Sequence, residues 1–248
     1  MDPRRRRIEL VLRIDGAAVA VSAPQPPSPA RLDELLPAQR AIDDAAIAHA
    51  VRKAEGGGRT VACAKGCSAC CRAQPVPVAP PEAHALLRLV EALPAARRHD
   101  IEARFADREQ RLRDAGLADA FLQRVDALDT DAARTLAHAY FKLGLACPFL
   151  DEDACSIHPQ RPFVCRQYLV TSDPALCADP FANKAEVIPM PLHAATAALA
   201  ISEAAYGRRQ HSVPLVLALA YARRHRAELE RRFDAEPLFR QWLRALAG

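Results

Sequence analysis

Residues 63–71 read CAKGCSACC and place four cysteines within nine positions, at Cys63, Cys67, Cys70 and Cys71. Cys67 and Cys70 form a C-x-x-C pair, the spacing at which a tight turn brings two thiolates to one metal ion. The side chains of the adjacent Cys70 and Cys71 diverge, so the two do not comfortably bind one tetrahedral ion together. The stretch therefore predicts either two metal sites or one multinuclear cluster.

A second, looser group of cysteines follows between residues 147 and 177. The chain reads CPFLDEDACSIHPQRPFVCRQY over residues 147–168, and a last cysteine follows at position 177. Pro162 suits the first turn of a short helix that runs through Tyr168. Cys165 would lie near the amino end of that helix, where backbone N–H groups favour thiolate over thiol. A nucleophilic Cys165 would need a base within reach, so a ligand role is preferred.

Eight cysteines in two blocks are too many for scattered core residues, so we predict that all of them are metal ligands. The set is Cys63, Cys67, Cys70, Cys71, Cys147, Cys155, Cys165 and Cys177. His158 is a weaker candidate ligand, supported only by its closeness to Cys155 in the sequence. No catalytic residue is predicted. Arg161 and Arg166 would orient thiolates or bind an anion. The preferred expectation, however, is an ion pair with Asp151 or Asp153.

The sequence also bears on the compartment, and with it on the state of the cysteines. The run Arg4–Arg7 resembles the start of an export signal. Glu9, Arg13 and Asp15 interrupt the apolar stretch that such a signal needs. The apolar run Val213–Ala222 is too short to span a bilayer. We therefore expect a cytoplasmic protein, in which clustered cysteines indicate metal or redox chemistry, whereas export would allow disulfides.

The composition is that of a globular chain with nearly balanced charge. Half of the 248 residues are apolar, and 34 Lys and Arg residues face 30 Asp and Glu residues, for a net charge of +4. An ordinary hydrophobic core is therefore expected, and nucleic acid is not an expected partner. A protein partner or protein substrate stays open, and no membrane segment is predicted.

The hydrophobic pattern predicts a mainly α fold, a single helical domain with an N-terminal β-hairpin and two irregular cysteine-bearing loops. Apolar residues alternate over residues 7–22, and Asp15-Gly16 supplies a two-residue turn, so this stretch predicts a hairpin that must dock on other elements. We assign residues 1–29 to the hairpin and a proline-rich linker (23–29), and 30–248 to the helical metal-binding domain with its core motif at 63–177. Helices are expected over 33–55, from Pro80 onward, over 95–145 with a break near Gly116, over 191–206 and 213–233, and around Trp242.

The two cysteine blocks resemble those of a known family. They are similar to the bacterial cysteine-cluster proteins described as zinc- or iron-chelating, which carry a CxxCxxCC-type block and then a C-P-F-L…C-x-I…R-P…C-R-x-Y block. The second motif is matched here by Cys147-Pro148-Phe149-Leu150, Cys155, Ile157, Arg161-Pro162, Cys165-Arg166 and Tyr168. In the first block, the gap between Cys63 and Cys67 has three residues instead of two. The resemblance spans about residues 63–177 and implies metal binding by the matched cysteines.

That family includes flagellin lysine N-methylases, which are longer and are held to carry an iron–sulfur cluster. The resemblance therefore also implies protein methylation as an alternative, although the sequence has no glycine-rich loop after a strand to support a Rossmann-type methyl-donor site. We predict a cysteine-ligated metal-binding protein. An iron–sulfur centre is favoured over zinc because the ligands are all cysteines, because Cys70 and Cys71 are adjacent, and because of the resemblance. The alternatives are an iron–sulfur enzyme such as a lysine N-methylase, and a zinc-stabilised nucleic-acid-binding protein, which would need a basic face.

Overall fold

The chain begins with a β-hairpin. In this computed structural model, which describes residues 6–122 and 130–246, β1 (Arg7–Ile14) pairs antiparallel with β2 (Ala17–Pro24). Asp15 and Gly16 form the two-residue turn with φ angles of 51° and 80°, left-handed values that Asp and Gly tolerate. The predicted hairpin and its turn are confirmed. β2 runs two residues further than expected, into the segment interpreted as linker.

The hairpin packs on the first long helix, α1 (Leu36–Gly56), through its apolar face. Ile14 and Val21, one from each strand, are 2% and 5% exposed and belong to the main hydrophobic core. At the tip of the hairpin, the Asp15 carboxylate lies 2.6 Å from Lys53 Nζ on the same helix. Because an isolated hairpin is only marginally stable in water, this packing is what keeps it folded.

The rest of the described chain is mostly helical, so the predicted mainly α fold is confirmed. After α1 come α2 (Pro80–Glu91), α3 (Ala95–Asp114), α4 (Ala118–Leu122), α5 (Thr130–Lys142), α6 (Phe163–Gln167), α7 (Ala194–Tyr206), α8 (Ala218–Arg224), α9 (Arg226–Leu229) and α10 (Ala235–Ala245). The short strands pair in twos, β3 (Pro77–Val78) with β6 (Val213–Pro214) and β4 (Leu150–Asp151) with β5 (Ala154–Cys155). Among these described helices, none combines the length and the apolar character needed to cross a membrane.

Several helix boundaries follow from local chemistry. α1 ends at Gly56, the first of three consecutive glycines, and α2 begins at Pro80, as predicted. Gly116, with a φ of 70°, lies at the expected break between α3 and α4. α7 begins at Ala194, three residues later than expected. Residues 1–5, 123–129 and 247–248, which include two of the four arginines of the run Arg4–Arg7 and part of the predicted helical stretch, lie outside the described residues.

The predicted helix over residues 213–233 is wrong at its start. Val213–Pro214 forms strand β6, and the Leu215 N–H continues the pairing by donating to Val76 O at 2.8 Å. The helical residues that follow are divided between α8 and α9. Val213 and Leu215 are buried, as their apolar side chains suggest. Their backbone conformation is set instead by pairing with a segment that is distant in the sequence.

Aromatic side chains of the second cysteine block belong to the hydrophobic core. Phe149 and Phe163 are both fully buried. The Phe149 ring meets Phe105 of α3 edge-on, with 5.3 Å between ring centroids, and the Phe163 ring lies 6.4 Å from that of Trp242 in α10. Each phenylalanine is two residues from a cysteine of the block, so core packing positions these cysteines.

Candidate metal centre

The two cysteine blocks meet in space, as predicted. The Cys147 N–H donates to Cys71 O at 2.7 Å, which joins the end of the first block to the beginning of the second. The Ala62 N–H donates to Val170 O at 2.9 Å. All eight thiols are free, seven of them partly exposed, with Cys177 buried. Direct backbone hydrogen bonds therefore hold the two blocks together, although they are distant in the sequence.

Cys70 interacts electrostatically with thiols of both blocks. Its pKa is raised, first by a hydrogen bond with the Cys71 side chain and then by burial. At five other cysteines burial is the first cause of a raised pKa, and the charge of Cys70 adds to the shift. These five are Cys63, Cys147, Cys155, Cys165 and Cys177. Such effects act between near neighbours in a partly dry environment, so the two blocks form one cluster of thiols.

Hydrogen-bond donors point at several of the sulfur atoms. The Val170 N–H lies 3.5 Å from Cys63 Sγ, and the Tyr168 hydroxyl donates to Cys177 Sγ at 3.9 Å. Burial raises the pKa of Cys147 to about 12, and backbone N–H groups that hydrogen-bond to its sulfur oppose the shift. N–H donors of this kind stabilise thiolate, the form that binds a metal, once the proton has been displaced.

Cys165 does not behave as its position suggested. Its pKa is raised well above the usual value, first by burial and then by the neighbouring charges of Cys147, Cys70 and Cys155. The expectation that a helix end would favour thiolate at Cys165 is wrong. α6 has only five residues, so its dipole is weak, and desolvation of the Cys165 thiol outweighs it.

The predicted ion pairs of Arg161 and Arg166 with Asp151 or Asp153 are also wrong. Arg166 turns toward α1, where its Nε lies 3.6 Å from Asp43 Oδ2 and its terminal nitrogen contacts Asp44. Both aspartates of the second block have other arginine partners from distant parts of the sequence. The sequence could not predict which aspartate each arginine would pair with, because every aspartate carries the same charge.

Arg161 instead faces the thiols. Its charge lowers the pKa of Cys63, Cys70 and Cys155, opposing the larger effects that raise them. Its Nε is buried and has no hydrogen-bond partner within the described residues. The alternative expectation, that Arg161 orients thiolates, agrees with this position. His158, the weaker candidate ligand, has an exposed side chain.

Arginines of α3 hold the second block from outside, a role that the sequence did not reveal. Arg104 donates to Leu150 O at 3.0 Å, and Arg108 donates to Ala146 O at 3.3 Å, on the two sides of Cys147. In the sequence they look like part of an exposed charged helix face. The only signal in the sequence that Arg104 and Arg108 act together was their spacing of four residues, which places both on one face of a helix.

A polar contact also joins the first block to the turn between β4 and β5. Asp153, with a φ of 60°, accepts the Ser68 hydroxyl at 2.7 Å and contacts the Arg72 guanidinium. Arg72 Nε in turn donates to Ser68 Oγ at 3.1 Å. We call these three residues the block bridge. Because Ser68 follows Cys67 and Asp153 precedes Cys155 by two residues, the block bridge restricts how far the thiols can move apart.

The donor chemistry of the cluster fits a soft or borderline metal. Thiolates are ligands of zinc and of iron–sulfur clusters, and the two blocks that meet here carry eight free thiols. Over residues 6–122 and 130–246, no three His, Cys, Asp or Glu side chains are already gathered closely enough to hold an ion. Metal binding would therefore have to draw sulfur atoms together and displace their protons. The residues that would hold the metal are the cysteines, and the metal would supply a cross-link between the two blocks.

The fold and the site define a mainly helical protein with an all-cysteine cluster suited to soft metal ions. The chain belongs to the family described as "CxxCxxCC: putative zinc- or iron-chelating domain", which matches residues 62–188. The match covers just over half of the 248 residues and includes all eight cysteines. Among curated proteins and among solved structures, none matches this chain.

Proposed function

We propose that this chain is a metal-binding protein whose ligands come from the eight clustered cysteines. The observation that carries the proposal is the meeting of the two cysteine blocks, where the Cys147 N–H donates to Cys71 O at 2.7 Å. Family membership supports the same chemistry, since the matched domain is of the zinc- or iron-chelating type. A bound metal would add its binding energy to the stability of the fold.

Between the two metals, an iron–sulfur centre is our expectation. The ligand set is all sulfur, and the adjacent Cys70 and Cys71 suit more than one metal atom. Tetrahedral zinc bound by four cysteines is the competing arrangement and would make the role structural or one of metal trafficking. Lysine methylation and zinc-stabilised nucleic-acid binding remain predictions from the resemblance and the sequence. The cytoplasm is the expected compartment, because thiols stay reduced there.

Metal analysis together with visible absorption tests this function on full-length protein purified without oxygen. Iron with acid-labile sulfide and a broad visible band that bleaches on reduction is the expected result. Zinc with a colourless spectrum would keep metal binding and overturn the preference for iron. Folded protein that holds neither metal, and takes up neither after reduction, would contradict the proposal.

A serine variant links the metal to the cluster. Cys70→Ser should lower the metal content sharply, because Cys70 neighbours thiols of both blocks. Far-ultraviolet circular dichroism of the variant checks that the helices remain. Normal metal content in a folded Cys70→Ser protein would show that the ligands lie elsewhere.

A further inference from the structure

Cys177 differs from the other seven cysteines in its burial. It is 4% exposed, whereas the other seven are all partly exposed. It is also the only buried residue in the segment 172–185, whose other residues are all at least partly exposed. A segment on the surface of the protein therefore carries one thiol inward, and solvent has little access to that thiol while the segment stays in place.

The two ends of this segment are held together. The Thr171 N–H donates to Glu186 O at 2.9 Å, and the Ile188 N–H donates to Leu169 O at 2.8 Å. Ile188 is 2% exposed and packs on α1, which fixes these ends to the body of the protein. Residues 172–185 therefore form a closed surface loop, which we call the Cys177 loop.

The Cys177 loop is shaped mainly by its own hydrogen bonds. The Asp173 carboxylate accepts the Ala175 N–H at 2.9 Å. The Asp179 carboxylate accepts the N–H groups of Phe181 and Ala182, each at 3.0 Å. Aspartate side chains that bind backbone N–H groups two or three residues ahead stabilise turns locally. The loop can therefore keep its shape when it moves relative to the rest of the protein.

Two side chains hold the middle of the loop. Gln74, three residues after the first cysteine block, donates from Nε2 to Cys177 O at 3.0 Å. The Tyr168 hydroxyl donates to Cys177 Sγ at 3.9 Å. These are single hydrogen bonds from partly exposed side chains, and each contributes only modestly to the closed position.

A ring contact holds the far part of the loop. The Phe181 ring lies 4.6 Å from the His138 ring and 5.3 Å from the Phe141 ring, both on α5. Beside this contact the loop and α5 are not closely packed, because a cavity of about 400 Å³ separates them. The cavity is lined by Arg134, Thr135 and His138 of α5 and by Asp179, Phe181 and Ala182 of the loop.

We propose, on the basis of the proposed metal-binding function, that the Cys177 loop opens as a unit and controls access to the Cys177 sulfur. The ends at residues 169–171 and 186–188 stay in place, and Phe181 is the contact that holds the loop closed. A segment with one buried residue and few contacts opens at a lower cost than the whole fold. Metal would reach Cys177 through the open loop, and closure would slow its release.

Alkylation of the metal-free, reduced full-length chain tests this opening without any metal. Iodoacetamide is added, and peptide mass spectrometry gives a reaction rate for each cysteine. Cys177 should react more slowly in the folded wild type than in the urea-unfolded chain. Phe181→Ala should raise the rate at Cys177 by roughly tenfold, since a partly buried aromatic contact is lost, and should change the rates at Cys147 and Cys155 by less than about twofold.

Phe233→Ala is the matched control. Phe233 is also partly exposed and makes a ring contact, 5.8 Å from Tyr206, but it lies outside the loop. This control should leave the rate at Cys177 unchanged. An unchanged rate at Cys177 in Phe181→Ala would overturn the proposal. Equal acceleration at all eight cysteines would overturn it as well, because it would mean that the whole fold had loosened.

Hydrogen exchange of the wild type tests the opening if Phe181→Ala does not fold. Peptides within residues 172–185 should exchange together and faster than peptides of α2, which belongs to the core. Protection of the Cys177 loop equal to that of α2 would overturn the proposal.

Release of Co²⁺, used in place of the native metal, relates the loop to the metal centre. A chelator should remove bound Co²⁺ faster from Phe181→Ala than from the wild type. Equal release rates, together with faster alkylation of Cys177, would overturn the role of the loop in metal exchange. A wild type that binds neither Co²⁺ nor zinc would contradict the proposed function, and alkylation would still decide whether the loop opens.

Discussion

Glu82 is a buried carboxylate that ties α2 to the helix that carries Cys165. It is 1% exposed, and its two oxygens accept the Ala79 N–H at 2.9 Å and the Phe163 N–H at 2.8 Å. Phe163 is the first residue of α6. Glu82→Ala would leave both N–H groups buried without an acceptor, because the residues that own them are themselves buried. We therefore expect this substitution to destabilise the fold and to loosen Cys165.

The size of the effect follows from the two lost acceptors. Each buried N–H left unsatisfied costs about 1–3 kcal/mol. Burial raises the pKa of Glu82, which shows that the ionised side chain itself carries a desolvation cost, and removal of that cost offsets part of the loss. A net loss of about 2–4 kcal/mol is expected, which lowers the melting temperature of a chain of this size by roughly 5–15 °C.

Urea unfolding and Co²⁺ titration of the same preparations measure the consequence. Glu91→Ala is the matched control, since Glu91 ends the same helix on the surface and contacts Arg226 in an exposed ion pair. That control should lose no more than about 1 kcal/mol. If Glu82→Ala proves as stable as Glu91→Ala, the buried carboxylate does not hold α6. Unchanged Co²⁺ affinity in a destabilised variant would separate the fold from the metal centre.

Three other variants test contacts around the site. Burial raises the pKa of Asp43 to about 7, so the unfolded chain loses this proton first and wild-type stability should fall as the pH rises from about 4 to 7. In Asp43→Asn, the decline of the unfolding free energy over this pH range should be smaller by up to roughly 4 kcal/mol. If urea unfolding shows the same dependence on pH in the variant and the wild type, the pKa of Asp43 is not raised. Arg104→Ala removes the donor to the Leu150 carbonyl of the second block and should weaken Co²⁺ binding several-fold, whereas Arg98→Ala, exposed on the same helix, should not. Asp153→Ala breaks the block bridge at a residue with positive φ and should lower the melting temperature by more than Arg72→Ala does; an equal effect would mean that the exposed ion pair alone matters.

Short-range chemistry was enough to predict the hairpin and the start of α2, and it favours a sulfur-ligated metal centre. Asp15-Gly16 between alternating apolar residues is a turn signal whose cause lies in those residues themselves, and the hairpin formed there. Pro80 can begin a helix and cannot continue one, which is why α2 starts where it was expected. Thiolates bind soft metals in any fold, so clustered cysteines predicted a metal centre before any contact was known.

Contacts between distant segments decided the rest. Arg166 found its partner Asp44 at a separation of 122 residues, instead of the nearer aspartates of its own block. Val213–Pro214 became a strand because Pro77–Val78 lies beside it. The pKa of Cys165 is raised because the core and other thiols surround it. Burial and electrostatic interactions depend on distances in space. Those distances between remote segments arise only when the chain folds, so the order of residues alone does not reveal them.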